Sequence, residues 1–200
     1  MKVVALPAGE QTRREKPFRP TVTYVMTMCQ ENFPSLYNPS RNLPRSHAPP
    51  YLGVMGLNIQ RVIDCTGPHE LADWWAETLG WSVEPQDAAF IRSMIEQGFA
   101  TEDQTMNHRG NLVWREGCAI RPTEELESKA PARRLLFQTA PETKTVKNRV
   151  HWDINLAGRD KDEVRRELEA RGATFLWTAS QGPHSWHTMA DPEGNEFCIS

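Results

Sequence analysis

Residues 191–200 read DPEGNEFCIS, a turn that runs directly into a short strand. The Asp, Pro and Gly residues predict the turn, and the alternation that follows predicts the strand. Phe197 and Ile199 lie on one face of this strand, whereas Glu196 and Cys198 lie on the other. Because the apolar pair must pack into a core, we expect the acid and the thiol to line a pocket on the opposite face.

This strand closes the second of two similar units. Periodicity predicts a strand, a helix and three more strands in residues 57–139, and the same order in residues 149–200. The first unit carries an additional helix within residues 87–99. Such an internal repeat predicts an α+β fold, in which two βαβββ modules form a cupped mixed sheet with the helices outside.

The two modules can be aligned residue by residue. An offset of 91 between their first strands matches Gln60 with His151, and the final strands match Gln138 with Cys198. Asp64 lies on the same face of its strand as Gln60. If the two sheets curve toward each other, these polar side chains look into one shared cleft.

Residues 1–54 differ in composition from everything after them. They are rich in proline and in arginine-containing polar spacers, and they show no sustained period of a helix or a strand. Such a segment cannot bury enough apolar surface to offset the cost of ordering its backbone. We therefore predict a disordered N-terminal extension at residues 1–54 and a folded domain at residues 55–200.

Composition argues against several functional classes. A net charge of −3 disfavours a protein that binds nucleic acid through its phosphates. No apolar run comes close to the length of about 20 residues that a membrane span needs. The four cysteines are far apart and form no CxxC pair, which favours reduced thiols. We therefore expect a cytoplasmic protein, either a monomer or a homodimer, without a nucleic-acid or membrane partner.

The strand RVHWDINL, at residues 149–156, has two chemically different faces. Its apolar residues alternate with His151, Asp153 and Asn155. On this polar face His151 is a candidate acid or base, which Asp153 could orient or charge. The alternative for His151 is a structural histidine with hydrogen-bonded nitrogens. The alternative for Asp153 is an ion pair with a nearby Lys or Arg.

The sequence resembles the vicinal oxygen chelate superfamily in three features. These are the paired modules, the LGW after the first helix, and the final DPEGNEF. That superfamily includes glyoxalase I, extradiol dioxygenases, and bleomycin- and fosfomycin-resistance proteins. The stretches most similar to its glyoxalase-like domain branch are VIDCTGPHELADWWAETLGW, RRLLFQTAPETKTVKNRVHWDI and ADPEGNEFC. The resemblance covers residues 57–200 and implies a small-molecule site in the cup.

The resemblance also implies a set of ligand positions. In metal-dependent members each of four strands supplies one ligand, and these positions fall on Gln60, Gln138, His151 and Cys198. This set lacks a carboxylate, whereas magnesium, manganese and ferrous ions prefer hard oxygen donors. Zinc could use the His and the Cys, but two amides would complete its coordination poorly. We therefore predict no bound metal. A divalent metal is the alternative, with a stand-in ligand from Asp153, Glu196 or His187.

On the enzyme hypothesis, which the resemblance implies, His151 moves a proton at a carbon next to an oxygen function. Asp153 or Glu196 tunes this base, and Gln60 and Gln138 hold the oxygen. The further candidate ligand-binding residues are Asp64, Trp114, His184 and Cys198. For Trp114 and Cys198 the alternative is core packing, and for His184 it is a plain turn.

Three functions follow as expectations. The first is a lyase, isomerase or oxygenase-like enzyme that acts on a small molecule. The second is a metal-free protein of the bleomycin-resistance type, which sequesters a ligand without chemistry. The third is a structural partner protein that uses the helix within residues 87–99 as its interface.

Overall fold

The computed structural model describes residues 59–127 and 133–200, so the predicted extension at residues 1–54 lies outside the described residues. The first module contains β1 (Arg61–Cys65), α1 (Pro68–Leu79), β2 (Trp81–Val83), α2 (Ala88–Glu96), β3 (Thr105–His108), β4 (Asn111–Trp114), β5 (Gly117–Pro122) and β6 (Leu135–Thr139). The second contains β7 (Trp152–Ile154), α3 (Lys161–Ala170), β8 (Thr174–Gln181), β9 (His184–Ala190) and β10 (Glu196–Ile199). Across these two ranges, the helices are too short or too polar to cross a membrane.

Helix α1 is explained by the residues at its ends and along its inner face. Pro68 occupies the first turn, where its missing N–H is not needed, and Gly80 ends the helix with a φ of 63°. Leu71, Trp74 and Trp75 recur at helical spacing and are buried. The helix therefore presents an apolar stripe to the sheets.

Each module folds into its own four-stranded mixed sheet. The strand order is β1-β6-β5-β2 in the first and β7-β10-β9-β8 in the second. In both, the first strand pairs in parallel with the last, and the other neighbours are antiparallel. The predicted α+β fold of two βαβββ modules is confirmed.

The strand pairing gives an offset between equivalent residues of the two modules that differs from the predicted one. Asp64 pairs with Gln138 in the first module, and Asp153 pairs with Cys198 in the second. Gln138 and Cys198 each follow a fully buried phenylalanine, so they are equivalent positions. The two aspartates are then equivalent as well, and they are 89 positions apart. The predicted offset of 91 is therefore too large by two residues. Because side chains alternate with a period of two, this error leaves each predicted side chain on the correct face of its strand.

Strands β3 and β4 form a separate hairpin within the first module. Residues 115–116 turn the chain from β4 into β5, as the sequence predicts, and β4 pairs with β3. The two-residue turn between β3 and β4 has positive φ at Arg109, 51°, and at Gly110, 84°. Such a turn matches the right-handed twist of paired strands. The hairpin is thus a local insertion beside the repeat.

One hydrophobic core serves both modules. It includes Trp75 and Phe137 from the first module, and Met189 and Phe197 from the second. The centroids of the Trp75 and Phe197 rings lie 5.1 Å apart at an interplanar angle of 67°, which is an edge contact. Helix α1 therefore packs against the last strand of the other module.

The turn before β10 docks onto α1. The buried Asp191 carboxylate accepts a hydrogen bond from the indole N–H of Trp75 at 3.0 Å, and others from backbone N–H groups of its own turn. The Glu193 carboxylate accepts bonds of 2.7 Å from the backbone N–H groups of Thr66 and Gly67. The N-cap residue of α1 is Gly67, which has no side chain that could cap the helix. The DPEGN turn therefore joins the two modules through two carboxylates.

Candidate functional site

The face of the second sheet that turns away from the core brings the side chains of His151, Asp153 and Cys198 together. Asp153 in β7 pairs with Cys198 in β10, and His151 immediately precedes β7. Trp152 and Ile154 pack against the core, so their neighbours His151 and Asp153 point to the opposite face. An imidazole, a carboxylate and a thiol therefore lie side by side on two adjacent strands.

The distances between these side chains are short. The Nε2 atom of His151 lies 3.4 Å from Oδ1 of Asp153. One nitrogen, oxygen or sulfur atom from each of His151, Asp153 and Cys198 lies within 4.8 Å of the other two. The side chains of His151 and Asp153 are 43% and 75% exposed, so solvent reaches them. We call these three residues the His–Asp–Cys cluster.

A cavity of about 170 Å³ adjoins the cluster and contains His151 and Cys198 in its wall. Two indole rings, those of Trp177 and Trp186, also form part of the wall, and we call this cavity the tryptophan cleft. The remaining lining residues are Lys147, Ala179, Thr188, Glu196 and Phe197. The cleft thus has an aromatic part and a polar end.

Trp177 reaches this face because β8 has a register shift between Phe175 and Trp177. Phe175 pairs with the core residue Met189, whereas Trp177 pairs with Thr188, the partner of Cys198. Regular alternation would place Phe175 and Trp177 on the same face of the strand. The sequence therefore does not reveal Trp177 as a site residue.

The Cys198 thiol is not an activated nucleophile. Burial raises its pKa above the usual value, and the nearby Asp153 carboxylate raises it further. The hydroxyl of Thr188, 3.7 Å from the sulfur, acts in the opposite direction but does not reverse the shift. The thiol is therefore protonated at neutral pH, when no cation binds it.

Glu196 lies at the rim of the cleft and is already engaged. Its carboxylate accepts a hydrogen bond of 2.9 Å from the backbone N–H of Asn148 and lies 3.1 Å from Nζ of Lys144. Burial raises the pKa of Glu196, but these two partners lower it by more, so it lies below the usual value. Glu196 therefore remains ionised and ties the segment between the modules to β10.

The candidate residues of the first module lie apart from this cleft. The amide of Gln60 donates a weak hydrogen bond of 3.5 Å to the carbonyl of Arg61. Asp64 lines a wider cleft of about 660 Å³ between β1 and the segment joining the modules. Gln138 is half-buried next to Asp64 in the adjoining strand. None of the three lines the tryptophan cleft.

The ligand set implied by the family resemblance therefore does not assemble around the tryptophan cleft. His151 and Cys198 line this cleft, whereas Gln60 and Gln138 do not. With the corrected offset, the first-module counterpart of His151 is Val62, which cannot bind a metal. The donors present do not fit a metal shared between four strands of the two modules.

Trp114 and His184 also lie outside the tryptophan cleft. Trp114 ends the β3–β4 hairpin and is buried. Its carbonyl lies 2.8 Å from Nε2 of His69, and because a carbonyl accepts, the imidazole donates this bond. His184 is exposed at the start of β9 and pairs with Gln181. Their roles as ligand-binding residues stay predictions.

His69, which the sequence did not single out, supports a prediction about pH. It is 1% exposed, and burial lowers the pKa of its imidazole below 6.5, although the Trp114 carbonyl acts in the opposite direction. The unfolded state therefore takes up the proton at a higher pH than the folded state. The stability present above pH 6.5 is accordingly lost as the pH falls below it. We expect a His69→Gln variant, which keeps a donor for the carbonyl, to lose less stability on acidification.

Urea unfolding at a series of pH values, from about 7 downward, measures this difference. His184→Gln, which removes an exposed histidine, serves as the control. We expect its stability to depend on pH as that of the wild type does. Parallel curves for the wild type and His69→Gln would contradict the prediction.

Solved structures of similar fold share little sequence with this chain. A glyoxalase-related enzyme from Fulvimarina pelagi is 16% identical, with 72% of this chain and 87% of that chain covered, at a TM-score of 0.40. The bleomycin-binding protein from Streptomyces verticillus is 14% identical, with 74% and 98% covered, at 0.40. A fosfomycin resistance protein from Listeria monocytogenes is 7% identical, with 74% and 93% covered, at 0.45. A comparison with curated proteins finds no match.

The family model described as the Glyoxalase-like domain matches residues 60–200, which include both modules. This match confirms the resemblance seen in the LGW and DPEGNEF motifs, and the two sheets have the modular βαβββ architecture that it implies. The chain therefore belongs to the glyoxalase-like domain family of the vicinal oxygen chelate superfamily.

Proposed function

We propose that the chain binds a small planar molecule in the tryptophan cleft. The observation that carries this proposal is Trp177, which is 46% exposed although it borders a cavity. A second indole, Trp186, lines the same cavity. Aromatic side chains that stay open to solvent beside a concave surface are typical of sites that stack a planar ligand.

The size of the cleft limits the ligand. Its volume of about 170 Å³ is close to that of an engineered protein cavity of about 150 Å³ that binds benzene. A ligand with a single ring therefore fits, with any larger part extending into solvent. This argues for a small metabolite-like compound and against a nucleotide or a peptide.

The polar end of the cleft predicts a polar group on the ligand. His151 and Thr188 supply an imidazole and a hydroxyl there, and Lys147 supplies a positive charge. These groups suit an oxygen that is anionic or a strong hydrogen-bond acceptor. The proposed ligand is therefore a single-ring compound that carries a carboxylate, a phenolate or a carbonyl.

His151 supports an enzyme of the lyase or isomerase type. Its imidazole opens onto the cleft, and Asp153, 3.4 Å away, can orient it. In this role His151 removes a proton from a carbon next to the ligand oxygen and returns it to a neighbouring carbon or to the leaving group. Glu196 acts indirectly in this scheme, through the segment that it holds beside the cleft.

A ligand-sequestering protein is the second candidate. It is favoured by the protonated thiol of Cys198 and by the engaged carboxylate of Glu196, since both observations reduce the reactive groups that face the cleft. In this case His151 and Asp153 only hold the polar group of the ligand.

Truncation of the exposed indole tests the ligand site. We expect Trp177→Ala to bind single-ring carboxylates and phenols about 5- to 30-fold more weakly than the wild type, because about 1–2 kcal/mol of stacking and burial is lost. Titration calorimetry on compounds found by ligand-observed NMR measures the affinities. Phe99→Ala is the matched control, since Phe99 is an aromatic residue that is 73% exposed outside the cleft. Equal affinities of the wild type and Trp177→Ala would overturn the proposal.

Solvent exchange separates the two candidates. A bound ligand that acquires deuterium at carbon in D₂O, with the wild type but not with His151→Gln, supports proton transfer by His151. Retained binding with no exchange in either protein supports the sequestering function. NMR of the recovered ligand provides both readings without knowledge of the natural product.

A further inference from the structure

We propose that Thr178 accepts an acyl group from small activated acyl donors, with His187 as its base and Asp162 as the residue that orients the base. We call these three residues the threonine relay. The proposal goes beyond ligand binding in the tryptophan cleft and does not depend on it. Thr178 follows Trp177 and His187 precedes Thr188, and both of these neighbours line the cleft. Strand alternation therefore directs Thr178 and His187 to the opposite face of the second sheet.

The relay consists of two hydrogen bonds to one imidazole. Nδ1 of His187 in β9 lies 2.9 Å from the hydroxyl of Thr178, its pairing partner in β8. Nε2 lies 3.0 Å from Oδ1 of Asp162, in the first turn of α3. His187 is 4% exposed, and its ring makes an edge contact with that of Phe175, with centroids 5.4 Å apart. The imidazole is therefore held in one orientation between a hydroxyl and a carboxylate.

The carboxylate determines which nitrogen of His187 carries the proton. The hydrogen bond with His187 is the largest cause that lowers the pKa of Asp162, so this carboxylate is ionised at neutral pH and only accepts. Nε2 of His187 therefore donates, which leaves the lone pair of Nδ1 for the Thr178 hydroxyl. A hydroxyl that donates to an imidazole, itself oriented by a carboxylate, is the arrangement that activates nucleophiles for acyl transfer.

The two ends of the relay are open to solvent, whereas its centre is not. Thr178 is exposed, and the side chain of Asp162 is 54% exposed, while the imidazole between them is buried. A small molecule can therefore reach the hydroxyl oxygen, while water has little access to the imidazole that accepts its proton.

Hydrogen-bond donors lie beside Thr178 on the same face of the sheet. The next pair of residues on this face is Ser180 and Ser185, about 7 Å further along the strands. The ammonium of Lys161 contacts the Ser185 hydroxyl. A carbonyl group placed between Thr178 and this pair would direct its oxygen toward an ammonium and two hydroxyls. Such donors stabilise the negative charge that develops on the oxygen during attack.

The proposed step can be written for an aryl acetate. The Thr178 oxygen attacks the carbonyl carbon and forms the new C–O bond, while its proton moves to Nδ1 of His187. The bond between the carbonyl carbon and the aryl oxygen breaks, and the aryloxide leaves with that electron pair. His187 then gives the proton to the aryloxide. The products are O-acetylated Thr178 and a phenol.

Incubation of the full-length chain with para-nitrophenyl acetate, followed by peptide mapping with mass spectrometry, tests the proposal. We expect one acetyl group on Thr178. His187→Gln should slow this acylation at least about 100-fold, the usual contribution of a positioned base. Thr178→Ser, which keeps a hydroxyl, should retain the reaction. Thr174→Val is the matched control, because Thr174 is exposed in the same strand but pairs with Ala190. The acylated position is the readout, since any exposed imidazole can release nitrophenol from this ester.

Asp162 is a positioning residue, and NMR tests its role separately. In the wild type, the nitrogen chemical shifts of His187 should show a proton on Nε2 and none on Nδ1. Asp162→Ala removes the acceptor and should populate the other tautomer, and it should slow the acylation of Thr178. Because the side chain of Asp162 is 54% exposed, this variant is expected to fold even if His187→Gln does not.

Three outcomes would overturn the proposal. The first is a wild type in which Thr178 is acetylated no faster than Thr174 of the same digest. The second is equal acylation of Thr178 in the wild type and in Asp162→Ala. The third is a wild-type His187 with its proton on Nδ1. None of these measurements involves the tryptophan cleft, so failure of the relay can be told apart from failure of the proposed ligand site.

Discussion

A Glu84→Gln variant is expected to lose about 3 kcal/mol of unfolding free energy, because it leaves two buried guanidinium groups without a counter-charge. The Glu84 carboxylate contacts Arg121 in β5 and lies 2.8 Å from Nη2 of Arg134, just before β6. The side chains of both arginines are 9% exposed and that of Glu84 is 15% exposed. Glutamine keeps the shape of the side chain but removes the charge that both arginines share.

Urea unfolding followed by circular dichroism measures this loss. Arg133→Ala is the control, since Arg133 pairs with two glutamates at the surface and is 58% exposed. We expect that variant to unfold with the wild-type midpoint, because exposed ion pairs contribute little. Equal midpoints for Glu84→Gln and Arg133→Ala would contradict the assignment of Glu84 as a buried counter-charge.

A Trp75→Ala variant is expected to lose about 4 kcal/mol, the cost of removing a large aromatic residue from a core. Trp75 is 1% exposed and its ring contacts the rings of Trp74 and Phe197, each with centroids 5.1 Å apart. Its indole N–H also donates to Asp191. The substitution therefore opens a cavity between the modules and removes one donor from a buried carboxylate.

Two companion variants separate these effects. Trp75→Phe retains most of the ring volume and is expected to lose about 1–2 kcal/mol, since mainly the hydrogen bond to Asp191 is removed. Trp177→Ala removes an indole that is 46% exposed and should change the unfolding midpoint far less. If Trp75→Ala and Trp177→Ala were equally stable, the shared core would not depend on Trp75.

The modular architecture could be predicted because each module repeats the same order of periodic segments. The alternation in β10 correctly separates the buried Phe197 and Ile199 from the partly exposed Glu196 and Cys198. The residue-by-residue alignment of the two modules could not be predicted. A shift of two residues moves every side chain to another position on the same face, so the apolar pattern is unchanged by it. Strand pairing alone distinguishes an offset of 89 from one of 91.

Two local features also escaped prediction for physical reasons. The strand Thr105–His108 has no alternating pattern, and its turn uses positive φ at Arg109, a residue type that seldom signals such a turn. The register shift before Trp177 has no sequence signature, yet it moves this residue to the face of the candidate site. The polar end of the site was therefore predictable from strand alternation, whereas its aromatic wall was not.

The docking of the DPEGN turn onto α1 has a consequence for biosynthesis. Asp191, which bonds Trp75, lies 116 residues further along the chain. At translation rates of about 5–20 residues per second, roughly 6–23 s pass between the synthesis of Trp75 and that of its partner Asp191. During that interval Trp75 lacks the contacts that Asp191 and Phe197 supply in the folded chain. Chaperones that recognise apolar segments would therefore compete with folding until the second module is made.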